Sequence, residues 1–307
     1  MNMAEIEQIS AHGLAGDFRL REPMHRHTSW RAGGTADRAY LAKDLADLQR
    51  FICTIPRDEP VYFVGLGSNL LVRDGGLRGT VVFTHWALRE LALDAEDPSL
   101  IYAQAGVASP KVARFAAMHD FEGAEFLAGI PGTLGGALAM NAGCYGSETW
   151  EVVERVLALG RDGELRMRTR EDFQIGYRTV VPRFGGEEWF AAAWLRISKG
   201  DGQRSRGRMK ELLQRRIASQ PLDLPNAGSV FRNPPGDFAA RLIESCGLKG
   251  RRRGGAQVSR KHANFIVNTD RASAADIEGL IEEVRATVRA KHGVELEREV
   301  RIIGERT

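Results

Sequence analysis

Residues 61–69 read VYFVGLGSN, four strand-forming residues followed at once by a glycine-rich loop. The glycines let a ligand come close to the main chain, and successive N–H groups in such a loop form an anion-binding nest. The loop lacks the third glycine of the GxGxxG dinucleotide fingerprint, since position 70 is Leu70, and the chain contains no GxxxxGK[ST] motif. Taken alone, the pattern favours a tight turn that only glycine fits, with a phosphate-binding loop of another kind as the alternative.

A second glycine-rich stretch, AGIPGTLGGALAMNAGCYG, occupies residues 128–146. It lies in an uncharged run, 126–147, that is long enough to cross a bilayer. The density of glycine together with Pro131 favours a loop over a membrane helix. Two such loops in one half of the chain favour a large diphosphate ligand, whose identity the local pattern leaves open.

The composition is that of a globular protein with two domains, or three. The chain has 307 residues, 43% hydrophobic and 27% charged, and its formal charge of +3 is too balanced to argue for nucleic acid. Three widely spaced cysteines form no CxxC pair or metal-ligand pattern, which predicts a reducing, cytoplasmic location without disulfides or metal. The N-terminal residues lack a basic start and an apolar run, so no signal peptide is expected.

Apolar spacing predicts an α+β fold in two lobes. The early lobe comprises residues 1–200, and a further division into subdomains 1–57 and 58–200 is an alternative. It carries strand patterns at 61–64, 80–83, 100–103, 152–159, 164–169 and 189–197, and helix patterns at 41–52 and from Ser109, which is the expected N-cap.

The C-terminal lobe, 201–307, follows a linker at 199–203. Its helix patterns are a basic helix around Met209, a helix from Ala239 to Gly247 with Asp237 as the expected cap, and a helix from Ser273 to Gly293. Ser273 and Asp276 have the spacing of a capping box. Strand patterns occur at 264–268 and 294–303.

Two basic segments lie in this second lobe. Residues 204–216 and 249–261 each contain six Lys and Arg residues, against one acidic residue in the first segment and none in the second. Such runs form a solvated face or a surface that binds a phosphorylated small molecule or nucleic acid. Aromatic residues are nearly absent between the charges, which weakens the interpretation as a single-stranded nucleic acid site.

Three further residues have ordinary local patterns. Arg178 in GYRT reads as a surface arginine, and Ser229 in NAGSVFRNP reads as a turn serine. Glu299 falls on the polar face of the predicted 294–303 strand, together with Glu295 and Glu297. Periodicity alone selects none of the three for chemistry.

Seven ordered blocks carry a specific resemblance that extends from about residue 23 to the end. They are HTSWRAGGTAD (27–37), GLGSNLLVRDGGLRGTVV (65–82), AGIPGTLGGALAMNAGCYG (128–146), GYRT (176–179), QPLDLPNAGSVFRNP (220–234), GLKGRRRGGAQVSRKHANFIVN (247–268) and LEREVRIIG (296–304). In these blocks the sequence resembles the MurB family, the UDP-N-acetylenolpyruvoylglucosamine reductases of bacterial cell-wall synthesis.

The resemblance implies an FAD-binding lobe similar to that of vanillyl-alcohol-oxidase-like flavoproteins, followed by an α+β substrate-binding lobe. Both glycine-rich loops would then hold a non-covalent FAD. The residues this implies are Gly65, Gly67, Ser68, Asn69 and Leu70 in the first loop, and Ile130, Pro131, Gly132, Gly135, Gly136, Asn141 and Gly143 in the second.

The resemblance also implies the reaction. NADPH reduces FAD, and a hydride then passes to the enolpyruvyl group of UDP-N-acetylglucosamine enolpyruvate to give UDP-N-acetylmuramate. Ser229 looks like the proton donor, and Arg178 and Glu299 look like its catalytic partners. A guanidinium can stabilise the charge that develops on the substrate carboxylate, and a hydroxyl in a closed site can deliver the proton. Arg232 and Asn233 look like substrate contacts.

Two departures from the family pattern are visible. The chain lacks the inserted segment with a substrate-covering tyrosine, so it resembles a shorter branch. It also has Arg232 where lysine is frequent, and an arginine run at 251–253.

The alternatives to a reductase of this family are a catalytically inactive flavoprotein, an oxidase of sugars or alcohols with covalent FAD, and a nucleic-acid-binding protein.

Overall fold

The computed structural model describes residues 13–307, which divide into two compact units. Unit 1 comprises 13–20, Arg38–Gly65 and Gly79–Gln214. Unit 2 comprises Arg21–Asp37, Leu66–Arg78 and Arg215–Thr307. The units therefore interleave along the chain, and the division into lobes at residue 200 and subdomains at residue 57 stays a prediction.

Short strands outnumber the helices among residues 13–307. The first ten are β1 (Asp17–Pro23), β2 (Thr35–Leu41), β3 (Val61–Val64), β4 (Leu70–Val72), β5 (Leu77–Phe83), β6 (Leu91–Leu93), β7 (Leu100–Gln104), β8 (Phe121–Glu122), β9 (Gly143–Cys144) and β10 (Ser147–Glu148). They are followed by β11 (Val153–Gly160), β12 (Leu165–Arg168), β13 (Phe173–Gly176), β14 (Thr179–Pro182), β15 (Glu188–Arg196), β16 (Ser198–Lys199), β17 (Arg252–Arg253), β18 (Ala256–Val258), β19 (Ile266–Asn268) and β20 (Arg301–Ile303).

Helices of varied length connect these strands. They are α1 (Leu45–Thr54), α2 (Thr84–Ala87), α3 (Ser109–Met118), α4 (Leu134–Met140), α5 (Gly202–Ser219), α6 (Ala239–Ser245) and α7 (Ala274–His292). Short 3₁₀ turns occur at Met24–Arg26, Glu125–Gly129, Thr149–Glu151 and Arg170–Asp172. Within residues 13–307, none of the helices has the length and apolar character needed to cross a membrane.

Unit 1 contains a five-stranded sheet of order β12-β11-β15-β7-β6 and most of a four-stranded sheet of order β1-β2-β5-β3. Strands β3 and β5 are parallel, whereas the five-stranded sheet pairs antiparallel throughout. One core cluster of unit 1 includes Leu134, Leu138 and Trp150, which anchor the second glycine-rich stretch. Two hairpins, β9–β10 and β13–β14, carry candidate site residues.

Unit 2 packs α6 and α7 with the three-stranded sheet β17-β18-β19. Trp30, which is fully buried, joins this core and donates its indole N–H to the carbonyl of Ile266 at 2.7 Å. Strand β20 pairs in parallel with β4, with Arg301 opposite Leu70. This pairing ties the 66–78 segment to the C-terminal part of unit 2.

Several sequence predictions are confirmed. Strand β3 coincides with the VYFV pattern, and β11 and β12 form the predicted hairpin. Helix α7 begins with the expected capping box, in which Ser273 accepts the N–H of Asp276, and ends at Gly293 in the left-handed conformation.

The second glycine-rich stretch is not the continuous loop that the sequence predicts, because it contains helix α4. Thr133 caps this helix by accepting the N–H of Gly136 at 3.4 Å. Leu134 and Leu138 are fully buried in the unit 1 core. The burial of these leucines outweighs the low helix propensity of the glycines.

Two of the predicted N-caps, Ser109 and Asp237, are wrong by position. Helix α3 has Ala108 as its N-cap, and Ser109 is its buried first residue. Helix α6 starts after Phe238, where Asn233 Oδ1 accepts the N–H of Ala239 at 3.1 Å. Asp237 instead forms an ion pair with Arg241, one turn along.

The predicted linker and the predicted last strand also differ from the structure. Residues 199–203 include the end of β16 and the start of α5. Only Arg301–Ile303 of the 294–303 pattern forms a regular strand, so Glu299 precedes the strand. The preceding residues pair with the chain around Phe231 through an isolated bridge to Arg298.

A buried ion pair fastens helix α7 to the 66–78 segment. The guanidinium of Arg73 donates two hydrogen bonds, of 2.8 and 2.9 Å, to the carboxylate of Glu278. The Glu278 side chain is only 10% exposed, and Arg306 adds a third hydrogen bond. The hydrogen bonds from Arg73 lower the pKa of Glu278 to about 2.

We expect Glu278→Gln to lower the free energy of unfolding at neutral pH by roughly 2 kcal/mol, because it leaves the Arg73 guanidinium without its carboxylate. The folded pKa of Glu278 lies below its ordinary value, so the carboxylate stabilises the fold above pH ~4.5 and loses this effect as pH falls toward 2. Urea unfolding should therefore show wild type and variant converging as pH falls. Glu283→Gln, on the same helix but paired with Arg251 at the surface, is the control. A pH-independent difference would contradict the assignment.

Candidate active site

The first glycine-rich loop turns sharply after β3. A side chain at Gly67, whose φ is +60°, would collide with the carbonyl of His27, so packing alone requires glycine at this position. The carbonyl of Gly67 accepts the N–H of Ser29 at 3.1 Å. The predicted cofactor residues Gly67, Ser68 and Asn69 thus lie on a turn that unit 2 itself holds in place.

The loop ends in direct contact with the chain that carries Glu299. Asn69 Nδ2 donates to the carbonyl of Glu299 at 3.1 Å, and the N–H of Arg301 donates to the carbonyl of Asn69 at 3.0 Å. Leu70, another predicted cofactor residue, begins β4 opposite Arg301. The structure therefore joins part of the predicted cofactor loop to a predicted catalytic segment.

In unit 1, the second loop begins with Ile130, Pro131 and Gly132 and continues into α4. A side chain at Gly65 would collide with Thr133, so the end of β3 lies against the start of this helix. The predicted cofactor residues Gly65 and Gly132 therefore lie on two segments that meet at Thr133.

Glycines at the start of α4 have different structural reasons. The N–H of Gly135 donates to the carbonyl of Ala105 at 2.8 Å, and a Cβ at this glycine would lie 2.9 Å from the Ala105 Cβ. Gly136 is exposed, and a Cβ added there would have Thr133 Oγ1, 3.8 Å away, as its nearest neighbour. Protein packing therefore requires glycine at 135 and not at 136, which leaves an open main-chain face that fits a large group such as FAD.

Arg178 occupies the tip of the β13–β14 hairpin, where Gly176 pairs with Thr179 around a two-residue turn. Its φ of +54° is uncommon for a residue with a side chain, and such conformations occur often at functional sites. Its guanidinium donates to the carbonyls of Asn141 at 3.3 Å and Gly143 at 2.9 Å. The hairpin thereby fixes the arginine against the second glycine-rich stretch.

The buried side chain of Asn141 organises this corner. Its Nδ2 donates to Glu148 Oε2 at 2.7 Å and to the carbonyl of Gly176 at 3.2 Å, and its Oδ1 accepts the N–H of Trp150 at 3.1 Å. Both N–H donors of the amide are used within the protein. The geometry gives Asn141 a positioning role, and direct contact with cofactor stays a prediction.

Ser229 and Glu299 lie on neighbouring segments of unit 2. The N–H of Glu299 donates to the carbonyl of Val230 at 2.8 Å, and the N–H of Arg232 donates to the carbonyl of Glu297 at 2.9 Å. Residues 229–232 and 297–299 therefore run antiparallel. Ser229 and Glu299 are both half-buried, so each is sheltered yet reachable.

Asn264 holds the serine segment from its other side, and sequence analysis missed it. Its side-chain amide accepts the N–H of Phe231 at 3.0 Å and donates to the carbonyl of Phe231 at 2.8 Å, as a neighbouring strand would. Its own carbonyl accepts the N–H of Val230 at 2.9 Å. The only sequence signal for this role was an asparagine before the FIVN pattern. The burial of Asn264 and its hydrogen bonds to Phe231 can be seen only in the structure.

The two predicted substrate contacts have other partners in the structure. The guanidinium of Arg232 lies 3.7 Å from the carboxylate of Glu297, and Asn233 caps α6. Their contact with substrate stays a prediction. Among residues 13–307, no group of three or more His, Cys, Asp or Glu side chains has the arrangement to hold a metal ion.

Comparison with known proteins decides the family. Residues 36–167 match the family model for an FAD binding domain, and residues 220–303 match that for the UDP-N-acetylenolpyruvoylglucosamine reductase C-terminal domain. UDP-N-acetylenolpyruvoylglucosamine reductase of Thiobacillus denitrificans is 57% identical over 100% of this chain and 98% of its own. The chain belongs to the UDP-N-acetylenolpyruvoylglucosamine reductase family.

Further members of this reductase family agree in sequence and in fold. The Methylococcus capsulatus reductase is 55% identical over 99% of both chains. The crystal structure of the Thermus caldophilus reductase superposes with a TM-score of 0.78 at 29% identity, covering 94% of this chain and 99% of that one. The predicted resemblance and the predicted α+β fold, with an FAD-binding part and a reductase C-terminal part, are confirmed.

We expect Gly136→Val to purify with reduced FAD content, because the new side chain occupies the open face, where the nearest protein atom to an added Cβ is Thr133 Oγ1 at 3.8 Å. Folding should be preserved, since valine is a better helix former than glycine. Flavin absorbance per protein and FAD titration measure the effect, with Gly136→Ala and melting temperature as controls. Gly67→Val is a poorer test, because it collides with His27 regardless of cofactor. A fully yellow, active Gly136→Val protein would mean that this loop is only structural.

Proposed function

We propose that the chain is an FAD-dependent reductase that uses NADPH to convert UDP-N-acetylglucosamine enolpyruvate to UDP-N-acetylmuramate, a precursor of peptidoglycan. The observation that carries the proposal is the hydrogen bond between Glu299 N–H and the Val230 carbonyl. In a chain of this family, this main-chain contact beside the serine segment supports a joint role for Ser229 and Glu299. Bound FAD supplies the redox chemistry, taking reducing equivalents from NADPH and passing them to the enolpyruvyl double bond.

Ser229 is the proposed proton donor to the enolpyruvyl carbon that does not receive the hydride. A hydroxyl is a weak acid in water, so it needs a fixed position in a sheltered site. The main chain of the next two residues supports this, since Val230 and Phe231 bond to Asn264 on one side and Val230 bonds to Glu299 on the other. The main-chain segment that follows the serine is therefore fixed, which supports the proposed role.

Arg178 and Glu299 are the proposed partners of the serine. A fixed guanidinium stabilises the charge that develops on the substrate carboxylate when the double bond is reduced. The carbonyls of Asn141 and Gly143 hold that guanidinium, which supports its role. Glu299 would organise the developing enolic acid, and its half-buried position beside a fixed main-chain segment supports this.

The substrate and the location complete the proposal. A UDP-sugar carries a diphosphate, and Arg232 together with the exposed Arg252 and Arg253 offers positive charge in unit 2. NADPH is the second substrate, and no nucleic-acid partner is proposed. We place the protein in the cytoplasm, which fits the three free cysteines Cys53, Cys144 and Cys246.

We expect Ser229→Ala to retain flavin reduction by NADPH, because that half-reaction needs no proton on a substrate carbon. Flavin reoxidation by the enolpyruvyl sugar should slow by ~10²-fold or more, in line with general-acid catalysis. Stopped-flow absorbance measures the two half-reactions separately on one preparation. The first half-reaction is the internal control for folding and cofactor content. Unimpaired reoxidation would remove Ser229 from the mechanism.

Glu299→Gln and Glu297→Gln should be measured side by side. Glu299 is half-buried beside Val230, whereas the Glu297 side chain is 75% exposed. We expect a large fall in kcat for the first variant with a smaller change in KM, because the carboxylate acts mainly in the transition state. The second variant should turn over near normally, with FAD content and melting temperature as controls. Equal activity in the two would show that Glu299 has no catalytic role.

A further inference from the structure

Glu148 is not among the predicted catalytic or cofactor residues, yet its side chain contacts two of them, Asn141 and Arg178. Its Oε2 accepts the N–H of Asn141 at 2.7 Å, and its Oε1 lies 3.8 Å from Arg178 Nη1. The carboxylate is 32% exposed and the guanidinium 15% exposed, so the pair is partly withdrawn from water. At this burial the carboxylate acts on the arginine with less screening than at a free surface.

The β9–β10 hairpin delivers the carboxylate to this place. Glu148 pairs with Gly143 across a tight turn in which Tyr145 and Gly146 both have positive φ, at +58° and +89°. That combination is typical of a type I′ hairpin turn, which fixes the register. The register of this hairpin therefore places Glu148 opposite Gly143.

Gly143 provides the space that this arrangement needs. A Cβ at Gly143 would lie 2.9 Å from Glu148 Cγ and 3.2 Å from Arg178 Nη1. The carbonyl of the same glycine accepts a hydrogen bond from Arg178. Glycine is thus required here because the Ser147 carbonyl oxygen, 2.6 Å from an added Cβ, and the Glu148 and Arg178 side chains leave no room for a side chain, which is a reason independent of any cofactor.

The contacts form a closed ring. Asn141 Nδ2 donates to Glu148 and to the carbonyl of Gly176, two residues before Arg178. Arg178 in turn donates to the carbonyl of Asn141 and faces Glu148. Asn141 and Glu148 therefore hold the arginine at both its main-chain and its side-chain end.

We propose that Glu148 is a positioning residue that fixes the Arg178 guanidinium for the substrate carboxylate, acting both directly and through Asn141. This inference rests on the proposed function. The carbonyls of Asn141 and Gly143 hold the guanidinium by hydrogen bonds, and the carboxylate of Glu148 adds an attraction from another direction. The rival explanation is that Glu148 only stabilises the glycine-rich stretch.

The test compares Glu148→Gln with Glu151→Gln in the FAD-loaded enzyme. The glutamine keeps an oxygen that can accept from Asn141 but removes the charge that faces Arg178. Glu151 is an exposed glutamate three residues further along and serves as the matched control. For Glu148→Gln we expect unchanged FAD content and unchanged flavin reduction by NADPH, with flavin reoxidation by the enolpyruvyl sugar about tenfold slower. In steady state the loss should appear in kcat, with KM for NADPH unchanged.

A double-variant cycle separates the two explanations. If Glu148 acts through Arg178, adding Glu148→Gln to Arg178→Lys should cause little further loss. Additive losses, a slower NADPH half-reaction or loss of FAD would overturn the proposal and assign Glu148 a structural role. Normal reoxidation in Glu148→Gln would overturn it as well. Failure of the proposed function is distinguishable, since wild type itself would then not turn over the enolpyruvyl sugar.

Discussion

One stretch of chain, residues 297–303, holds three segments of unit 2 in register. Its N–H groups donate to the carbonyls of Val230 and Asn69, and its β20 part pairs in parallel with β4. The carbonyl of Ile303 accepts the N–H of Arg73, which itself bonds to Glu278 on helix α7. This stretch therefore gives both the serine segment and the first glycine-rich loop a main-chain hydrogen-bond partner, in addition to Asn264 and Ser29, which bond to them from other sides.

In unit 1, two predicted site residues are held in backbone conformations that few residues with side chains adopt. Asn141 and Arg178 both have positive φ, and each carries a side chain whose hydrogen bonds compensate for that cost. The two residues bond to each other's segments, so neither conformation is independent of the other. A network of this kind is rigid, which is what a guanidinium needs if it is to stabilise charge only as that charge develops.

The sequence predicted correctly those elements that depend on the residues within them and on their turns. The VYFV strand, the capping box at Ser273 and the hairpin β11–β12 follow from propensity and turn chemistry. It failed where tertiary contacts decide: buried leucines make α4 helical despite its glycines, and only residues 301–303 of the last apolar alternation find a strand partner. The proposed catalytic trio of Arg178, Ser229 and Glu299 came from family resemblance. The structure brings the Ser229 and Glu299 segments together and fixes Arg178. Asn264 and Glu148 gave no periodic signal, because their contacts with Phe231 and Arg178 join segments that are far apart in sequence.

The parallel pairing of β20 with β4 has a consequence for the order in which this protein is made. Arg301 pairs with Leu70, so the partner of one strand is synthesised long after the strand itself. Contacts at such sequence separation carry a large loop-closure entropy and form late. The turn at Gly67–Asn69 therefore reaches its final shape only once residues 301–303 have left the ribosome. Sheets within unit 1, whose strands lie between residues 91 and 196, can assemble before then. The nascent chain thus passes through a stage with much of unit 1 folded and its first glycine-rich turn still unformed.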